Sequence, residues 1–202
     1  FCYNIANITG GTAASGFAVS GENAVINQCH NYVAVTATAV DAFAVDFTNI
    51  TITSAYYCSD FMSSVNGAPA DKEWFSCGYV ALLLNRSNDN NFWAQDELYP
   101  VFGSDSMQGY VLPFGGEGSI ISPYIISTEN ELRLARILVN TEESWAAKSY
   151  KLGADIYVSN PETANNFAPF GSMGNVFKGT FDGDGHTISG INLYSSANDV
   201  AL

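Results

Sequence analysis

Short alternations of apolar and polar positions run through residues 1–70. Ala24-Val25-Ile26 and Asn49-Ile50-Thr51-Ile52 are β-branched runs bounded by Gly, Asn, Ser and Asp, and they read as strands of about four to six residues. The pattern recurs. CYNIANITGGTAASGFAV, from Cys2, lies over CHNYVAVTATAVDAFAV, from Cys29. Cys2 then maps to Cys29, Asn4 to Asn31, Phe17-Ala18-Val19 to Phe43-Ala44-Val45, and Val25-Ile26 to Thr51-Ile52, at offsets of 26 or 27 residues; a third pass is expected to open at Tyr57-Cys58. Short strands at such a period predict a β-solenoid, in which each coil buries its apolar face only by stacking on the next. Stacked equivalents lie roughly 4.8 Å apart, so Cys2 and Cys29 are expected in one inward ladder as small buried thiols.

Two segments depart from the alternation. WFSCGYVALLLN, Trp74 to Asn85, carries Val80, Ala81, Leu83 and Leu84 at helical spacing. TENELRLARILVN, Thr128 to Asn140, pairs Thr128 with Glu131 as a capping box, and it has an apolar stripe of Leu132, Ala135, Leu138 and Val139 with Arg133 and Arg136 outside it. Both read as short structural helices. Gly103 to Pro123 reads as a linker or loop crossing. The predicted organisation is solenoid coils over 1–70, a helix-containing insert and linker over 71–123, and a capping helix with the start of the next solenoid over 124–202, together one continuous structural unit.

ISTENELRLARILVN, SYKLGADIYVSN, FAPFG and then FKGTFDGDGHTISGINL, Phe177 to Leu193, together resemble the opening of bacterial and archaeal surface modules with GLUG-type repeats. The Cys-Tyr-Asn coils, GYVALLLN, and FWAQDELYPVFG from Phe92 to Gly103 resemble the later parts of such modules, so the resemblance spans nearly the whole chain. It implies a mainly β fold of the right-handed parallel β-helix type with one or two short capping or insert helices. It also implies a place in adhesins or in accessory regions of surface proteases. The coils depart from the family in having Gly16-Phe17-Ala18-Val19 and Ala42-Phe43-Ala44-Val45 where a small-Gly-Leu-Val-Gly turn is usual. The order departs too, since the family's opening segment stands second here. Read end to end, Asp199-Val200-Ala201-Leu202 followed by Phe1-Cys2-Tyr3-Asn4 resembles one uninterrupted coil. The implied partner is therefore the chain itself, as a head-to-tail homopolymer or as tandem copies, with the coil completed across that junction.

Composition narrows the classes. Seven Lys and Arg stand against 20 acidic residues for a formal charge of −13, with no Lys or Arg before Lys72, which excludes a nucleic-acid footprint. No apolar run is long enough to span a bilayer, so membrane insertion is not expected. A charged share of 13%, few Lys, and many Asn, Thr, Ser, Gly and Tyr suit the extracellular or cell-surface compartment. The four cysteines allow three full pairings and spacing does not choose among them; Cys58 with Cys77 is the pair put forward for an oxidising compartment. No CxxC pair points to structural zinc.

Candidate chemistry is sparse. Asp182-Gly183-Asp184-Gly185-His186 offers Asp182 and Asp184 as calcium ligands, but it lacks EF-hand spacing and reads better as a turn, so no cofactor is expected. His30 and His186 read as structural histidines. Carboxylate pairing of Asp182 with Asp184, or of Asp41 with Asp46, is the only trace of glycosidase chemistry, and no HExxH or GxSxG occurs; an enzyme is not expected. Thirteen Phe, 11 Tyr and 3 Trp leave room for glycan binding, with Tyr56, Tyr57 and Trp93 as candidates for exposure. Asn7, Asn49 and Asn85 head glycosylation sequons. The leading expectation is a structural β-solenoid subunit of a filament, sheath or surface layer. The alternatives are an adhesin or carrier module for surface glycans or host protein, then a polysaccharide-processing β-helix.

Overall fold

A computed structural model describes residues 1–87, 92–103, 111–172 and 174–194. The chain divides into two compact units, Phe1–Val111 and Leu112–Leu202. Strands dominate the first unit, the second mixes short strands with helix, and the described residues hold four α-helices.

In the first unit, two consecutive passes of the chain lie side by side. The first pass is β1 (Cys2–Asn4), β2 (Ile8–Thr9), β3 (Ala13–Ser15) and β4 (Ala18–Glu22). The second is β5 (Val25–Asn31), β6 (Val35–Thr36), β7 (Ala39–Asp41) and β8 (Ala44–Thr48). Each strand of the first pass pairs in parallel with its counterpart in the second. β9 (Thr51–Cys58) opens a third pass on β5, and β10 (Ala68–Ala70) pairs in parallel with the second half of β9. The ladder runs Cys2, Cys29, Ala55, so the third pass is under way by Thr51 and does not open at Tyr57-Cys58 as the cysteine spacing suggests. Val25 and Ile26 pair with Thr51 and Ile52, and in that register Cys58 falls three places beyond the ladder.

Equivalent residues stack because parallel pairing sets each on its counterpart. Phe17 and Phe43 have ring centroids 5.3 Å apart at 19°. Asn4 Nδ2 donates to Asn31 Oδ1 at 2.8 Å, and Asn49 Nδ2 donates to Asn23 Oδ1 at 3.2 Å. Asn23 and Asn49 both take left-handed backbone, φ 51° and 54°, which Asn tolerates. Gln28 and Ser54, also equivalents, do the same at φ 52° and 47° despite the strain, of roughly 1 kcal/mol or more each. They put a corner inside β5 and β9. The corner shifts the alternation by one place, so that Ile26 and Cys29, like Ile52 and Ala55, pack into the same inner cluster with Phe43 and Tyr57.

The other face of this sheet is aromatic. Tyr3 stacks on His30 (5.3 Å, 11°), and Phe75 and Trp93 close over His30. The covering layer is α1 (Lys72–Ser76), α2 (Tyr79–Arg86) and the antiparallel hairpin of β11 (Trp93–Gln95) and β12 (Pro100–Phe102). The single helix expected over Trp74–Asn85 is thus two, broken at Gly78, whose φ of 90° a side chain would strain. Asn85 ties α2 to the hairpin, donating to Trp93 O at 2.8 Å and accepting from Trp93 N at 3.0 Å.

The second unit has β13 (Tyr124–Ile126), β14 (Ser149–Leu152) and β16 (Thr180–Asp182) in one parallel sheet, and β15 (Ile156–Tyr157) with β17 (Ile188–Ser189) in another. Between β13 and β14 run α3 (Glu129–Thr141) and α4 (Glu143–Ala146). The capping box forms as expected: Thr128 Oγ1 accepts from Glu131 N, and Glu131 Oε2 accepts from Thr128 N, each at 3.2 Å. Arg136, expected outside the apolar stripe, is only 8% exposed, because Phe167 covers that side of α3 and stacks 5.6 Å from the guanidinium. Asn140 pins the irregular chain between β15 and β16 by side-chain bonds to Pro169 O and Gly171 N, and Asn166, within that chain, donates to Ser159 O and to Gly190 O just after β17.

Two outcomes follow. His30 is fully buried, and its Nε2–H donates to Pro100 O at 2.7 Å, while burial holds its pKa down to about 4. The unfolded chain, with an ordinary histidine near 6.5, takes up the proton first. His30 therefore leaves stability intact above pH 6.5 and removes up to about 3 kcal/mol as pH falls towards 4. Urea titrations across that range should show this slope, and His30→Phe should flatten it. Asp41, also buried, accepts from Phe43 N and Ala44 N through Oδ1 and from Val65 N, Asn66 N and Asn66 Nδ2 through Oδ2. Asp41→Ala strands the two buried amides and should cost at least about 3 kcal/mol by chemical denaturation.

Candidate functional site

The feature that stands out is an unpaired edge. Among the described residues, β1, β2, β3 and β4 pair only with the second pass, which leaves the opposite side of the first pass open along its length. The opening is deepest beside β5. β1 covers Cys29–Asn31, whereas Val25, Ile26 and Asn27 pair with Thr51–Thr53 on one side and with no described strand on the other. Val25 there is 71% exposed. Natural edges are usually blunted by charge or proline; from Phe1 to Val40 this chain has one charged residue, Glu22, and no proline. The far side of the sheet differs, with β10 and its Pro69 over half of β9. In the second unit, an antiparallel bridge from Gly115 to Ile125 occupies the outer side of β13, while β16 and β17 have no described partner on their outer sides.

The junction residues expected from sequence divide here. Phe1, Cys2, Tyr3 and Asn4 lie at the open edge, with Phe1 exposed and Asn4 heading the asparagine ladder. Asp199, Val200, Ala201 and Leu202 lie outside the described residues. Phe1 packs on Phe92 at 5.2 Å and Tyr3 on Phe102 at 5.1 Å; with Phe1, Phe92 and Phe102 each 44–56% exposed, the hairpin and the chain start form an aromatic rim beside the edge. Sequence reasoning chose other rings. Trp93 is fully buried under the hairpin and Tyr57 is buried in the inner cluster, which corrects both as exposed candidates; Tyr56 is half-buried against the helices. The signal for the true rim was the alternation Phe92-Trp93, since adjacent strand residues face opposite ways.

The chemical candidates resolve into structural roles. Asp182 Oδ1 accepts from Asp184 N at 2.9 Å, Asp184 and Gly185 are left-handed, and His186 N donates to Gly183 O at 2.7 Å, which makes the segment a turn. Asp184 is ion-paired to Lys151 Nζ at 2.7 Å, so a cation already compensates it. No group of three or more His, Cys, Asp or Glu suited to a metal occurs among the described residues. Asp41 is consumed by its backbone bonds and Asp46 faces out from β8, so the two do not converge. Asn7 and Asn49 are exposed, but Asn85 is buried with its amide spent on Trp93, which corrects it as a glycan acceptor in the folded chain. Cys58 and Cys77 are free thiols, the first facing Asp60 Oδ2 and the second Trp74 O, so the expected bridge is not formed. No helix among the described residues is long and apolar enough to cross a membrane.

No protein-family model matches the chain, and no solved structure matches it. A stretch of 94 residues is 35% identical to Halomucin of Haloquadratum walsbyi (strain DSM 16790 / HBSQ001). The match takes in 43% of this chain and 1% of that protein's length, so the chain is similar to a small part of a very long one.

Thiol labelling of the native protein reads the edge directly. Cys2 is exposed, whereas Cys29, Cys58 and Cys77 are buried, and burial pushes Cys29 up and Cys58 up to about 11. A maleimide at neutral pH should label Cys2 alone within minutes and the other three only in denaturant, as counted by intact mass.

Proposed function

We propose that this chain is a structural module of the cell exterior: a right-handed parallel β-helix of the GLUG type that extends by stacking one copy on the next. The observation that carries the reading is the unpaired Val25–Asn27 edge beside β1. A strand running into Phe1 from the preceding copy would fill it, and Asp199–Leu202 is the segment proposed for that place. The polarity of the edges supports a heterologous contact. The first unit is open on the side where its strand order begins, and the second on the side where its strand order ends. Such a contact repeats without closing unless its rotation forms a ring. In-register pairing at 26- and 27-residue offsets supports the β-helix, because each pass presents the next with a copy of its own surface. Similarity to a small part of the protein named Halomucin supports a place at the cell surface, as does the low content of Lys and Arg. No step in this function calls for catalysis or a cofactor; the work is done by backbone pairing and apolar stacking.

The aromatic rim of Phe1, Phe92 and Phe102 favours a second reading, an adhesin or carrier module that stacks glycan rings on exposed side chains. The two part under native light scattering and negative-stain imaging. The stacking module forms concentration-dependent multimers, and denaturing mass near 21.6 kDa separates a non-covalent polymer from a tandem chain. Lysines on the exposed edge, Val25→Lys with Asn27→Lys, should hold it monomeric at unchanged circular dichroism. A wild-type chain that stays monomeric at every concentration and binds glycan saturably overturns the stacking reading.

A further inference from the structure

Cys2 and Cys29 are direct partners in the parallel register of β1 and β5. In-register residues of neighbouring strands project to the same face, with backbones about 4.8 Å apart, inside the roughly 4.4–6.8 Å Cα range that a disulfide spans. Cys29 is 4% exposed in the inner cluster, with Ala55 on its other side, so Cys2 is the cysteine that stands beside it in the ladder. Cys58 belongs to the opposite cluster, under the helices. Cys2 is exposed and open to an oxidant.

We propose that Cys2 and Cys29 form a redox clasp, a disulfide that oxidation closes across β1 and β5 to lock the first pass onto the second. With a small disulfide such as oxidised glutathione, the Cys2 thiolate attacks one sulfur, forms a mixed disulfide and releases one glutathione thiolate. Cys29 then loses its proton to solvent, and its sulfur attacks Sγ of Cys2 and expels the second glutathione. Two protein thiols are oxidised and one glutathione disulfide is reduced to two thiols, so the electrons balance. The buried Cys29 thiol, now donating to Asn27 O at 3.2 Å, has to give up that bond and its raised pKa to react. The second step is therefore the slow one, and it quickens as pH rises.

The test uses the whole native chain with oxidised glutathione, quenched in acid, unfolded and counted by maleimide and peptide mass. The expected result is loss of two of the four thiols, a peptide pair joining Cys2 to Cys29, and a rise of several degrees in melting temperature that dithiothreitol reverses. Cys2→Ser, at an exposed position, should lose no thiol under the same treatment. A stable mixed disulfide on Cys2 with Cys29 still free overturns the proposal. So does a bridge to Cys58 or Cys77, or a link between two chains.

Discussion

Everything in the first unit depends on one constraint: parallel, in-register pairing between successive passes of 26 or 27 residues. Parallel hydrogen bonding sets each residue beside its counterpart, so a side chain that suits one pass must tolerate its equivalent in the next. Phe17 on Phe43, Asn4 on Asn31 and Asn49 on Asn23 are the favourable outcomes, combining ring stacking and amide bonding with the backbone ladder. Even the strained corner obeys the rule. Gln28 and Ser54 adopt the same left-handed backbone because a corner in one strand alone would break the register of both.

The constraint also governs how the pass structure stops. After Cys58 the chain leaves the ladder and returns only as the short β10. Asp41 makes this exit possible, gathering the amides of Val65 and Asn66 from the return loop while holding its own turn through Phe43 and Ala44. Gly67 then lies flat on the Phe43 ring, where an added Cβ would come within 2.3 Å of Cε2. The helices and hairpin cover the aromatic face behind. No comparable device covers the outer side of β1–β4 among the described residues, and on the proposed reading that open side is where a further copy stacks.

The sequence carried the period, the strand-rich class and the α3 capping box, because each is local or repeats itself: Asn4 and Asn31, or Thr128 and Glu131, announce their pairing by spacing alone. It misplaced features that depend on which face a residue takes. Cys58 looked like a ladder member, yet the corner at Ser54 and the Val25–Thr51 register put Ala55 there. Trp93 looked exposable and is buried, since only the hairpin's packing on His30 chooses between the faces of Phe92 and Trp93.

What the sequence determined by itself was therefore the repeat and its turns, since those follow from local backbone preference and from equivalent residues at a set offset. The tertiary structure alone decided which aromatic rings reach solvent, that Arg136 is buried beneath Phe167, and, among the described residues, how far each strand edge is covered. Those outcomes are settled by packing between segments far apart in the chain. A buried face and an exposed one use the same residue types, and nothing in the order of residues records which side another segment comes to cover.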